Sequence, residues 1–289
     1  MLKNILVTGA KGQLGKSIQY IQHHYPGNKF YYSDIDDTDI CNVDAIEKLM
    51  QHTMPDVVIN CAAYTAVDKA EEEPVKALDI NAKAVKSLAE ICERDNVFLI
   101  HISTDYVFDG NKNTPYREED ATCPMSAYGH SKLEGEIAIL YHLDKALIIR
   151  TSWLYAPFGK NFVKTILEKG ATAEPLYVVY DQIGSPTYAI DLAHAILSCI
   201  PEAIKLNGVE IVHYANEGVA SWFDIAKSIL KYANLNTTVH AVTSEKYQTK
   251  AKRPPYSVMN VDKFKKLFNT VIPYWNDSLE HCLEIIKNE

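Results

Sequence analysis

The chain alternates short apolar runs with longer stretches in which apolar positions recur every three or four residues. The runs over 4–7, 29–33, 57–61, 97–102 and 146–150 predict strands, and the periodic stretches 14–23, 43–52, 74–95 and 127–142 predict amphipathic helices. Val57-Val58-Ile59 is apolar at consecutive positions, which requires burial on both faces, as in a parallel sheet covered above and below by helices. Strands alternating with helices through right-handed crossovers predict an α/β chain with a doubly wound parallel sheet over 1–150. After residue 151 the rhythm loosens. Loops rich in Pro, Tyr and Asn (153–161, 181–187, 253–260) separate shorter elements, which predicts a smaller α/β C-terminal lobe over 151–289 that binds substrate. Its segment 176–200 is expected to return to the first sheet.

Composition narrows the class. With 289 residues, 47% apolar and 23% charged, the chain suits one large domain or two and is neither disordered nor fibrous. A net charge of −8 excludes a global basic field for nucleic acid, though a local cationic patch could still hold one anionic ligand. No window offers 18 uncharged apolar residues, and the first apolar run is too short for a signal peptide, so no membrane association is expected. The six cysteines form no Cys-x-x-Cys pair and have no histidine at zinc-ligand spacing, so they are expected to be reduced, buried fillers of a cytoplasmic protein without a metal.

Between the first strand and first helix stands Thr8-Gly9-Ala10-Lys11-Gly12-Gln13-Leu14-Gly15. Glycines there permit a tight turn, let backbone N–H groups approach a pyrophosphate and let the helix pack on the sheet. Asp34 follows 19 residues after Gly15 and ends the second strand. A carboxylate at that place accepts both ribose hydroxyls of a dinucleotide and repels a 2′-phosphate, favouring NAD over NADP. Asp34 also sits in an acid-rich stretch, where an exposed loop carboxylate is the alternative.

Among 18 tyrosines, three precede a lysine by four positions: Tyr25, Tyr128 and Tyr141. On a helix this spacing puts phenol and ammonium on one face, where the cation pulls the phenol toward the range of an acid–base catalyst. Tyr25 lies in a Pro-Gly turn and Tyr141 straddles a helix end. Tyr128, paired with Lys132, opens a helix one loop after the fourth strand, whose end carries Ser103-Thr104-Asp105. Strand carboxyl ends are where such sheets bind ligands, and Thr104 there could hydrogen-bond a carbonyl or the tyrosine.

Together these motifs resemble the extended short-chain dehydrogenase/reductase family. Further matching runs are Asp39-Ile40, Asn60-Cys61-Ala62-Ala63-Tyr64-Thr65, Ser103-Thr104-Asp105-Tyr106-Val107-Phe108-Asp109-Gly110, Arg150-Thr151-Ser152-Trp153, Asn161-Phe162, Asp181-Gln182-Ile183-Gly184-Ser185-Pro186-Thr187 and Arg253-Pro254. The resemblance implies a Rossmann-like fold and hydride transfer from NADH or NADPH to the C-4 keto group of dTDP-4-dehydro-L-rhamnose, giving dTDP-L-rhamnose for cell-surface polysaccharide. It implies Tyr128 as proton donor, Lys132 on the nicotinamide ribose and Thr104 orienting the ketone. By the same resemblance Gly9, Ala10, Lys11, Gly12, Gln13, Leu14 and Gly15 hold the pyrophosphate, Asp39 and Ile40 flank the adenine, and Ala62, Ala63 and Thr65 line the cofactor. Asp105, Tyr106 and Trp153 would lie against the sugar nucleotide, joined by Asn161, Gln182 and Arg253. Lys160 and Arg253 are the cations available to the substrate diphosphate.

One departure concerns metal. Some family members are described as dimers bridged by magnesium on glutamates, whereas here Gly15-Lys16-Ser17 offers no carboxylate and Asp191 stands where a glutamate would be sought. A magnesium bridge is therefore not expected, and the chain is read as a monomer or weak homodimer. Alternatives of the same superfamily are a nucleotide-sugar epimerase or dehydratase. A dehydratase calls for an acidic pair after the threonine, where this chain has Asp105-Tyr106. A non-enzymatic, cofactor-binding regulatory subunit is the alternative from another class.

Overall fold

The computed structural model describes residues 3–172 and 174–288. Six strands form the central sheet: β1 (Lys3–Thr8), β2 (Asn28–Ser33), β3 (Val57–Asn60), β4 (Phe98–Thr104), β5 (Ala146–Thr151) and β6 (Val209–His213). All pair in parallel, in the order β6-β5-β4-β3-β1-β2. The doubly wound sheet is as the sequence predicts. The chain winds outward from β1 to β2, then crosses back to β3 on the other flank. The carboxyl ends of β1 and β3 therefore flank the switch point, where such sheets open a ligand crevice.

Each inner strand is apolar on both faces. Ile5, Val7, Val57, Ile59, Ile100, Leu147 and Ile149 enter the core shared with helices α1 (Gln13–Ile21) and α6 (Ala189–Ala203). Leu6, Val58, Leu99 and Ile148 enter the opposite core, with α2 (Val43–Thr53), α3 (Ala84–Arg94) and α4 (Ala127–His142). The first core continues into the C-terminal half, through α5 (Phe162–Gly170) and α7 (Trp222–Tyr232) to Leu283. Position 150 is thus not a gap in packing.

Three expectations need correction. Leu176–Val179 does not rejoin the sheet: it pairs in parallel with Val239–Val242, and Val209–His213 takes the edge beside β5. Within 176–200 it is α6 that returns, packed on α1. The periodicity over 74–95 hides a break, because Pro74–Leu78 passes through a π-helical turn, Asp79–Lys83, before α3. That turn carries buried Asn81, which accepts from the Tyr64 N–H (2.8 Å) and donates to the Tyr64 carbonyl (3.0 Å) and Ser131 Oγ (2.9 Å). Cys41 and Cys123 are exposed rather than buried, and no disulfide joins cysteines among the described residues.

Candidate active site

A cleft of about 860 Å³ opens over the carboxyl ends of β1, β3, β4 and β5. Its floor is the glycine loop. Gly9 sits at φ +65°, and a Cβ there would lie 2.6 Å from the Ala62 nitrogen; one on Gly15 would lie 2.5 Å from the Gly9 carbonyl. The loop is glycine because β1, β3 and α1 meet with no room for side chains. Gly12 N-caps α1 and no side chain caps its first turn, so the N–H groups there suit an anion. A dinucleotide pyrophosphate fits this cradle. Asp34 accepts from the Lys11 N–H (2.7 Å) and the Ile35 N–H (2.9 Å), which pins its carboxylate at the cleft edge.

The reactive end lies under α4. Ser126 caps this helix by accepting from the Gly129 N–H at 3.1 Å. Gly129 and Gly135 bring α4 down on its neighbours: a Cβ on either would stand 2.2 Å from a backbone oxygen, that of Tyr106 or Asn81. Glu136 locks the helix from the other side. Its carboxylate accepts from Arg150 Nε (3.0 and 3.2 Å) and Nη2 (2.7 Å), as well as from the Ser103 hydroxyl, with both members of the ion pair almost fully buried. This clamp fixes Tyr128 and Lys132 over the end of β4.

Thr104 Oγ1 accepts from the Tyr106 N–H (3.2 Å) and donates to Asp105 (3.0 Å). Burial raises the Tyr128 phenol above its ordinary value, and a hydrogen bond with Thr104 opposes that rise. Tyr106 meets Tyr128 edge-on, ring centroids 5.6 Å apart. Lys132 is engaged with the strand: Nζ donates to the Ile102 carbonyl (2.6 Å) and contacts His101 Nε2 (3.1 Å). Burial brings Lys132 down to about 8, against Glu136 and Cys61, which raise it. Burial also pushes the Asp105 carboxyl up to about 6, while the hydrogen bond from the Thr104 hydroxyl pulls it down.

A family model described as the RmlD substrate binding domain matches residues 3–288. The dTDP-4-dehydrorhamnose reductase of Aggregatibacter actinomycetemcomitans is 37% identical over 97% of this chain and 98% of its own. The chain belongs to the dTDP-4-dehydrorhamnose reductase family. Solved structures agree. The Clostridium acetobutylicum member superposes with a TM-score of 0.93 at 40% identity, covering 99% of this chain and all of the other. The Bacillus anthracis member, solved in complex with NADP, gives 0.92 at 37% identity with the same coverage.

Of the residues the family pattern singles out, Gly9, Lys11, Gly12, Gln13, Leu14, Gly15, Asp34, Asp39, Ile40, Ala62, Ala63 and Thr65 all line the cleft. So do Thr104, Asp105, Tyr106, Tyr128, Lys132, Trp153, Lys160 and Arg253. Arg253 is partly committed, since its Nη2 donates to Asp68 at 2.8 Å. Asn161 and Gln182 stand outside. Asn161 caps α5 through the Lys164 N–H (3.1 Å) and ties Gln13 to that helix (3.0 Å), while Gln182 donates to Ser244 (3.0 Å). Asn161 lines a smaller cavity of about 120 Å³ that shares Gln13, Trp153 and Trp222 with the cleft. Sequence reading missed Trp222, which stacks on Trp153 at 3.9 Å and also lines the cleft. Its signal was faint: a tryptophan opening a capped helix reads as core. Trp153 holds φ +48°, unusual for a bulky residue, and the edge of its ring would meet a Cβ on Gly184 at 2.7 Å. Among the described residues, no group of three or more His, Cys, Asp or Glu could hold a metal ion, and Asp191 is occupied by Asn216 (2.7 Å) and Ser278 (2.6 Å).

Proposed function

We propose that this cleft reduces the C-4 keto group of dTDP-4-dehydro-L-rhamnose to dTDP-L-rhamnose with NADH or NADPH. The observation that carries the reading is buried Thr104 at the end of β4 together with half-buried Tyr128 at the start of α4, both lining the same cleft as the glycine loop. When bound, the nicotinamide supplies the hydride. Gly12, Gln13 and Leu14 bind the pyrophosphate through backbone N–H groups, and Lys132 holds the nicotinamide ribose. Thr104 turns its hydroxyl proton from Asp105 to the ketone oxygen and fixes its angle. Tyr128, kept protonated at neutral pH by burial, gives its proton to that oxygen as it gains charge. Asp105, Tyr106 and Trp153 bind the sugar, and Lys160 with Arg253 meets the diphosphate. The stretch after residue 150 mainly supplies this substrate side, and the enzyme works in the cytoplasm as a monomer or weak homodimer.

An epimerase returns its hydride to the sugar and releases no oxidised cofactor, which separates it experimentally. Purified protein should oxidise NADH or NADPH only when dTDP-4-dehydro-L-rhamnose is supplied, read as loss of reduced-nicotinamide absorbance. No loss despite measurable cofactor binding would instead assign a regulatory subunit. Turnover of a UDP-sugar without net consumption would assign an epimerase.

A further inference from the structure

Behind Lys132 runs a buried hydrogen-bond chain that the reduction as described leaves idle. The Ala62 amide can only donate, so the Asn60 atom it meets at 3.2 Å is the oxygen. The same oxygen accepts from Thr8 Oγ1 at 2.7 Å. The other end of Asn60 is therefore its NH2 group, 3.0 Å from His101 Nδ1. An NH2 group offers no lone pair there, so Nδ1 must be the bare, accepting nitrogen. A neutral His101 then carries its proton on Nε2. An imidazolium, with N–H on both nitrogens, is excluded by the same contact. Asn60 and His101 are fully buried, so no solvent relieves a clash of donors.

That Nε2–H points at Lys132 Nζ, 3.1 Å away. An ammonium has three donors and no acceptor, so charged Lys132 would set donor against donor. The neutral amine fits both contacts: it accepts from Nε2–H and donates to the Ile102 carbonyl at 2.6 Å. We infer that Asn60 and His101 are positioning residues that lock the imidazole proton on Nε2 and thereby make Lys132 a ready proton donor to Tyr128. This rests on the reductase reading. Solvent in the cleft first adds a proton to the Lys132 amine; once Tyr128 has protonated the C-4 oxygen, an N–H bond of this ammonium, which the His101 N–H disfavours, breaks and the phenolate O–H bond re-forms. The amine left behind takes up the His101 hydrogen bond, and solvent entering the cleft returns the proton to Lys132.

The titratable groups around Lys132 are His101 on β4, Cys61 after β3, and Tyr128 and Glu136 on its own helix. Burial holds the Cys61 thiol up at about 12, and Glu136 is paired with Arg150 of β5. Burial also drives His101 well below the ordinary histidine range, consistent with a ring that stays neutral.

Nitrogen–proton NMR of the histidine rings in the unliganded protein tests this directly, with His101 assigned by its loss in His101→Gln. The expected spectrum shows a protonated Nε2, a bare Nδ1 and no titration across the neutral range. A proton on Nδ1, or a His101 that titrates there, would overturn the inference. Asn60→Asp should move the proton to Nδ1, because the new carboxylate accepts from it, and leave Nε2 to accept from the Lys132 ammonium. The alkaline limb of kcat/KM should then rise by about one pH unit or more. In a His101→Phe background the same change should move that limb less than half as far, and equal shifts would overturn the coupling through His101. The ring spectra need no substrate, so failure of the reductase reading is told apart from failure of the tautomer lock.

Discussion

Arg150→Met is the sharpest test of how the sheet holds its reactive helix. In the native protein Glu136 and Arg150 have side chains only 1% and 3% exposed and share three contacts of 2.7–3.2 Å. Methionine fills much of the arginine stem's volume but leaves the Glu136 carboxylate buried against the Ser103 hydroxyl alone. Removing one partner of a buried pair costs about 3–5 kcal/mol, because the other charge stays desolvated and uncompensated. That is a large part of the roughly 5–15 kcal/mol by which a domain is stable. Urea unfolding at neutral pH should show the midpoint falling with the slope unchanged. The double variant Arg150→Met/Glu136→Gln should recover part of the loss by removing the orphaned charge. Because Lys132 lies one turn before Glu136 on α4, residual folded protein should also turn over more slowly. A loss below about 1 kcal/mol, with no recovery in the double variant, would refute the clamp.

Three further outcomes follow from the site. Tyr128→Phe should lower kcat by about 10²-fold or more with cofactor affinity nearly unchanged, measured by NADH oxidation and by NADH titration; an unchanged kcat removes Tyr128 from proton transfer. Asp105 is held up at about 6 against an ordinary 3.8, so the folded state binds its proton more tightly. The stability this contributes is full below about pH 4 and lost as pH rises through about 6. Between pH 4 and 7 the native protein should therefore lose about 2–3 kcal/mol more than Asp105→Asn, and parallel urea midpoints would contradict this. Gly135→Ala places a Cβ 2.2 Å from the Asn81 carbonyl and should cost about 1–3 kcal/mol in unfolding experiments while displacing Lys132 enough to lower kcat; wild-type stability would show that α4 has slack.

The inner strands β1, β3, β4 and β5 were legible because each carries a run of β-branched and aliphatic residues that must bury two faces, as at Val57-Val58-Ile59. The cleft was legible because its backbone demands are met by glycines at fixed spacing, and because Thr104 and Tyr128 stand one loop apart. What sequence could not show is where polar side chains turn. Asn161 and Gln182 carry the same amide chemistry whether they face a sugar or cap a helix, and only the packing shows that Asn161 caps a helix and Gln182 bonds Ser244. The π-helical turn at Asp79–Lys83 left the apolar periodicity intact, since its work is done by one buried asparagine. The sixth strand was missed because Val209–His213 is an edge, half-buried and flanked by polar residues, while the more apolar Leu176–Val179 pairs elsewhere. Burial brings the Lys132 ammonium down to about 8, a consequence of depth that spacing does not encode.

Two of the three tryptophans in the chain, Trp153 and Trp222, are stacked in the wall of the cleft with their planes 13° apart, while Trp275 lies in the core. Indoles at that separation share their excited states, so the pair has an optical signature distinct from that of a lone buried tryptophan. A reduced nicotinamide bound in the same cleft absorbs where indoles emit. Its arrival should quench the pair's fluorescence. Trp222→Phe would break the stack and turn Trp153 into a single reporter. The protein thus carries its own probe for cofactor occupancy, readable with no substrate, label or turnover.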